Sequence, residues 1–159
     1  MISKRISKKI SKKVLKEGLK RRTDMKEITV RAVSDRVGEV TDFINEELDR
    51  LECPVKAQMQ IDIAVDEIFS NIAKYAYPPG EGTVTVRLDE IKEPRGICMV
   101  FIDTGTPYDP MDAPEPDITL PLEEREAGGL GIFMVKNIMD KLLYDYRNGQ
   151  NILKIWKFF

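Results

Sequence analysis

The sequence predicts an α+β domain, one sheet with helices packed on one face. Three observations carry that expectation. Segments with the two-residue alternation of a strand stand near the start, in the middle and at the end of the chain. Two long segments of helical periodicity lie back to back between the first and second of them, so strand and helix do not alternate as a doubly wound parallel sheet requires. The chain has 159 residues, 42% of them hydrophobic, which suits one domain around one core.

The elements follow in order. Residues 1–22 carry ten Lys or Arg and one acid, while the rest of the chain carries fifteen bases and twenty-six acids. A basic extension, residues 1–24, therefore precedes an acidic domain, residues 25–159. In the extension Ile2, Ile6, Ile10 and Val14 recur every fourth position among lysines, the pattern of a narrow helical stripe or of a solvated, loosely helical tail. Ile28, Val30 and Ala32 alternate in a strand over residues 27–33. Ser34 or Asp35 is placed to cap a helix to about Leu51, with Val37, Val40, Ile44, Leu48 and Leu51 on one face. Pro54 closes that segment and opens a second helix, roughly 55–75, with Ala57, Ile61, Ala64, Val65, Ile68 and Ile72 toward the core. Pro78, Pro79 and Gly80 stop it.

Val84, Val86 and Leu88 define a strand over 83–89, and residues 93–96 form a turn. The unbroken apolar run 97–102 predicts a central strand. Residues 103–129 are irregular and contain five prolines, which argues for a functional lid at about 104–128. A helix is expected over 131–140, from Ile132, Val135, Ile138 and Met139. The chain ends in a hairpin, 142–147 and 150–158, joined by Asn148 and Gly149, the dipeptide that favours a type I′ turn.

Composition excludes several chemistries. The chain has no histidine, so a serine–histidine triad, a histidine zinc site and a phosphohistidine relay within this polypeptide are excluded. Proton transfer must fall to a carboxylate, lysine, tyrosine or cysteine. A net charge of −2 with this apolar fraction excludes disorder throughout. No apolar run approaches the length of a membrane span and charges interrupt every candidate leader, so a cytoplasmic protein with reduced Cys53 and Cys98 is expected.

Three segments carry candidate chemistry. Glu67, Asn71 and Lys74 fall at i, i+4 and i+7 of the second helix and share one face. A carboxylate, an amide oxygen and an ammonium there suit a Mg²⁺–phosphate platform; the same spacing also suits a plain solvent face. Asp103 ends the most apolar strand and is followed closely by Gly105. Such a carboxylate can accept a hydrogen bond from an exocyclic amine, or it can close an Asx turn. Gly128, Gly129, Leu130 and Gly131 stand immediately before a helix. Glycines at a helix N-terminus let backbone N–H groups approach phosphate, although the segment matches neither the Walker pattern nor a dinucleotide fingerprint.

In this order the three segments resemble the Bergerat-type ATP-binding fold of the GHKL superfamily, shared by gyrase, Hsp90, histidine kinases and MutL. The N box resembles Glu67, Asn71, Lys74 and Tyr75, the G1 box Asp103 and Gly105, and the G2 box Gly129, Leu130 and Gly131. The short chain, the run from Asp103 to Pro110 and the closing Asn151-Ile-Leu-Lys strand are most similar to the anti-sigma factor/serine-protein kinases of partner-switching systems. Tyr75 stands where serine kinases of that branch often have histidine, and Ala127 where the G2 box often has its first glycine.

The resemblance implies a two-layer α/β sandwich with a mixed, mostly antiparallel sheet, and ATP and Mg²⁺ as cofactors. It implies that Asp103 binds the adenine amine, that Asn71 is the metal ligand, and that Glu67 is the catalytic base toward a serine or threonine hydroxyl. Lys74 and Arg125 would contact phosphate, with Tyr75 and Gly105 in the nucleotide site, and Gly128 to Gly131 would wrap the triphosphate. The partners implied are an anti-anti-sigma protein of STAS type, a sigma factor and a second copy of the chain, with nucleic acid reached only through the basic extension. Two further readings stand beside the kinase: a nucleotide-gated module that holds a partner without phosphoryl transfer, and a regulator tethered to membrane or nucleic acid by the extension.

Overall fold

The computed structural model describes residues 25–124 and 129–159. The basic extension and the candidate site residues Arg125 and Gly128, with Ala127, lie outside the described residues. Five strands, β1 (Lys26–Arg31), β2 (Thr83–Lys92), β3 (Arg95–Asp103), β4 (Lys141–Arg147) and β5 (Gln150–Phe158), form one sheet in the order β1-β2-β3-β5-β4. All four pairings are antiparallel, so the mostly antiparallel sheet expected is antiparallel throughout among the described residues. Helices α1 (Val37–Arg50), α2 (Val55–Asn71) and α3 (Gly129–Ile138) supply the second layer.

The continuous apolar run becomes β3, the middle strand, buried on both faces. Ile97, Met99 and Phe101 point into the main core beneath the helices, while Cys98, Val100 and Ile102 join Ile91, Ile152 and Trp156 on the other face. Both cysteines are free, and burial pushes the Cys98 thiol up to about 11, so it acts as a small apolar side chain there. In β2 the alternation holds as read, with Val84, Val86 and Leu88 inside. The hairpin turn has φ of 53° at Asn148 and 74° at Gly149, both left-handed, as a type I′ turn requires. At its far end Lys157 is buried, and its ammonium donates to the Ile138 carbonyl at 2.7 Å, closing the C-terminus of α3.

Two local expectations are corrected. Neither Ser34 nor Asp35 caps α1, because residues Ser34–Arg36 form a 3-10 turn that runs straight into the helix. Its tighter bonds, Arg36 N–H to the Val33 carbonyl and Val37 N–H to the Ser34 carbonyl, occupy the amides that a side-chain cap would satisfy. The second helix does not continue to Tyr75 as α-helix; it ends at Asn71, and Ile72–Ala76 form one wider π turn. Ala57, Ile61, Ala64, Val65 and Ile68 are buried as read; Ile72 is only partly buried, and Phe69 is fully buried beside them.

One buried charge fastens the helical layer to the sheet edge. The Glu47 carboxylate on α1 accepts from Lys26 Nζ at 2.5 Å and from Arg50 Nη2 at 2.5 Å, and Arg50 also reaches Glu90 on β2 at 3.0 Å. Hydrogen bonds from Arg50, opposed by burial and aided by Lys26, hold the Glu47 carboxyl below its ordinary value of 4.5. A lowered native pKa means this stabilisation is complete above the unfolded-state value and is lost as pH falls through the native one. Glu47→Gln is therefore expected to cost about 2 kcal/mol near neutral pH. Urea melts should find that gap closing below about pH 4.5.

Candidate nucleotide-binding site

β3 delivers Asp103 to the edge of the helical layer, where it is 6% exposed. The antiparallel register sets it opposite Asn151, the second residue of β5. Asp103 Oδ1 accepts from the Gly105 amide at 2.9 Å and from Asn151 Nδ2 at 2.9 Å. Its Oδ2 accepts no hydrogen bond among the described residues. The Asx turn of the sequence reading is present, and the second carboxylate oxygen is left over among the described residues.

The chain leaving β3 is pinned on both sides. Thr104 N–H donates to the Tyr77 hydroxyl at 2.8 Å, and that hydroxyl donates to the Thr83 carbonyl at 2.5 Å. Thr106 N–H donates to the Ala76 carbonyl at 2.7 Å. Gly105 lies so close to the π turn that a Cβ would stand 2.4 Å from the Ala76 carbonyl oxygen. Glycine is required here by the approach of another backbone.

A cavity of about 510 Å³ opens beside this turn. Ile68, Phe101, Ile132 and Leu153 make apolar walls, and Asn71, Asp103, Tyr144 and Asn151 present polar groups into it. Tyr75 and Tyr108, both more than half exposed, stand at its rim. A mainly apolar slot with a few converging polar groups is the form of a small-molecule site. One free carboxylate oxygen at its floor suits a flat heteroaromatic ring that carries a hydrogen-bond donor.

The N-box residues separate. Asn71, the last residue of α2, lines the cavity, and its side-chain amide makes no hydrogen bond among the described residues. Glu67, one turn earlier, does not line it. Its carboxylate packs against α3, where a Cβ on Gly131 would fall 2.0 Å from Glu67 Oε2. Gly131 is thus the glycine that lets α3 start against Glu67. Gly129 has no such neighbour, the nearest atom being the Pro114 carbonyl oxygen at 3.9 Å, and Leu130 is 39% exposed. Lys74 is exposed, does not line the cavity, and lies in the wider turn after Asn71 rather than in the α-helix.

Sequence reasoning assigned no role to Asn151, Tyr144 or Tyr108. A signal existed for Asn151, which shares the inward parity of Leu153 and Ile155 and is therefore an amide at a core position.

A family model described as histidine kinase-like ATPase domain matches residues 30–157, from the end of β1 to the end of β5. The chain belongs to the histidine kinase-like ATPase family. This ATPase domain is similar to the serine-protein kinase RsbW of Halalkalibacterium halodurans, 31% identical over 121 residues that cover 73% of the chain and 72% of the relative. It is 24% identical to the serine/threonine-protein kinase BtrW of Bordetella bronchiseptica over 137 residues, 86% of the chain and 94% of that relative. It is 23% identical to an RsbW of Bacillus cereus over 133 residues, 79% of the chain and 71% of the relative. The GHKL-type ATPase fold expected from the order of the boxes is the fold found. No helix among the described residues is long and apolar enough to cross a membrane.

Proposed function

We propose that this ATPase domain is a protein serine/threonine kinase and anti-sigma factor that phosphorylates an anti-anti-sigma partner of STAS type. The observation that carries the reading is the pairing of Glu67 with Gly131: a carboxylate held at the glycine-opened start of a helix, one turn from the unpaired amide of Asn71. Relatives named serine-protein kinases support it.

In this reading Asp103 Oδ2 accepts from the adenine amine, and the apolar walls enclose the ring. The first-turn N–H groups of α3 face the triphosphate, aided by glycine at positions 129 and 131 and by the charges of Lys74 and Arg125. Asn71 fits a Mg²⁺ site, since its amide oxygen is a hard donor left unpaired among the described residues, and Mg²⁺ takes most of its ligands from water and phosphate. Among the described residues no cluster of three acidic, histidine or cysteine side chains competes for the ion. When bound, Mg²⁺ supplies charge neutralisation. Glu67 takes the proton of the partner's hydroxyl as its oxygen bonds to the γ-phosphorus and the bond to the ADP oxygen breaks. A sigma factor and a second copy of the chain complete the proposed set of partners.

Incubation with γ-labelled ATP and an anti-anti-sigma protein of STAS type tests the reading. Label should appear on a serine or threonine of the partner. Glu67→Gln should slow transfer by on the order of a hundredfold or more, with ATP affinity kept within about threefold of wild type, as expected for a group outside the ground-state contacts. Saturable ATP binding with no label from the wild type would replace the kinase by a nucleotide-gated binding module.

A further inference from the structure

Two polar side chains of the cavity, Asp103 and Tyr144, meet on one amide. Asn151, 6% exposed, donates through Nδ2 to Asp103 Oδ1 at 2.9 Å, to the Thr106 carbonyl at 3.1 Å and to the Gly105 carbonyl at 3.4 Å. Its Oδ1 accepts from the Tyr144 hydroxyl at 2.6 Å and from the Tyr108 amide at 3.2 Å. The Tyr108 N–H can only donate, so the amide cannot be flipped without setting donor against donor. Burial pushes the Tyr144 phenol up, which keeps its proton in place for the same oxygen. One side chain therefore joins β3, β4, β5 and the start of the lid segment.

We infer that Asn151 is the positioning residue of the nucleotide pocket. It saturates Oδ1 of Asp103, so the carboxylate offers Oδ2 alone to the ligand, and it makes that carboxylate and residues 105–108 move as one unit. The inference rests on the reading of the cavity as an ATP site. A single fixed acceptor selects a purine with an exocyclic amine over one with a carbonyl at the same ring position. It also links occupation of the ring pocket to the position of the lid segment, because the Tyr108 amide and Asp103 share the same partner.

Asn151→Asp separates positioning from bulk structure. It keeps the shape but turns the donor toward Asp103 into an acceptor, leaving two carboxylates about 2.9 Å apart. Such a pair holds two charges only at a cost, so one member takes a proton as pH falls. The groups facing it are Asp103 and the Tyr144 phenol, with Asp109 acting on that phenol, and no cation bonds to Asn151 among the described residues.

The test uses the full chain. The Kd of ATP and of inosine 5′-triphosphate is measured by calorimetry between about pH 8 and pH 5, and amide exchange is followed at Tyr108. Wild type should prefer ATP. Asn151→Asp should lose about tenfold or more in ATP affinity near pH 8, with a lower ATP-to-inosine ratio, and recover as pH falls. Tyr144→Phe should lower the ratio more modestly and speed exchange at Tyr108; it decides the matter if Asn151→Asp does not fold. Equal losses for both nucleotides with no pH dependence, or no change in either variant, would overturn the inference while leaving ATP binding intact. A wild type that binds neither nucleotide overturns the ATP reading and this inference together.

Discussion

Asp103→Asn is expected to reduce ATP affinity by about a hundredfold or more with little change in the fold. The substituted amide keeps an oxygen for the two donors that Oδ1 serves, the Gly105 N–H and Asn151 Nδ2. Its nitrogen then stands in place of Oδ2. Two donors meet, the adenine amine and the new amide, between the apolar walls of the cavity. Calorimetry with ATP checks the loss, and a thermal melt of the free variant checks the fold. A variant that binds ATP as tightly as wild type would remove Asp103 from the ring pocket.

Gly105→Ala is expected to act on the fold itself. A Cβ there meets three atoms of Ala76, the carbonyl oxygen at 2.4 Å, Cβ at 2.5 Å and the carbonyl carbon at 2.6 Å. Two of these are backbone, so no rotamer change relieves the contact. Residues 105–108 must move off the π turn, which stretches the 2.7 Å bond from Thr106 N–H to the Ala76 carbonyl and the bonds to Asn151. The expected cost is about 3 kcal/mol, or on the order of 10 °C in Tm. Gly129→Ala is the control: its nearest neighbour is at 3.9 Å, so it should stay within about 1 kcal/mol of wild type. Equal effects of the two would contradict the packing described.

Sequence alone carried the sheet and helices because their signals are local. Asn148-Gly149 names its turn type by the left-handed φ that both residues adopt. The run 97–102 reads as a central strand because a strand buried on both faces has no polar parity to show. The losses come where distant backbones meet. Nothing in the residues after Asn71 tells an α turn from a π turn, yet the widening puts Lys74 outside the α-helix that carries Glu67 and Asn71. Gly105 is a steric requirement, and its partner Ala76 belongs to another element.

The site was legible in the same proportion. Asp103 and Asn71, picked out by type and spacing, and Tyr75, implied by the resemblance, line one cavity, and Glu67 meets Gly131 across the gap between α2 and α3. Asn151 went unassigned although its inward parity marked it, because the meaning of a lone core amide depends on the register that sets it opposite Asp103.

The central claim is that Glu67, Asn71, Asp103 and Gly131, far apart in the chain, surround one adenine nucleotide. Titration of the full chain with ATP, with and without Mg²⁺, followed by amide hydrogen exchange, tests it most directly. Saturation is expected at one nucleotide per chain, with protection gathered at the end of α2, the turn after Asp103 and the start of α3. Absence of binding under every divalent-ion condition, or protection confined to surfaces away from those three segments, would contradict it.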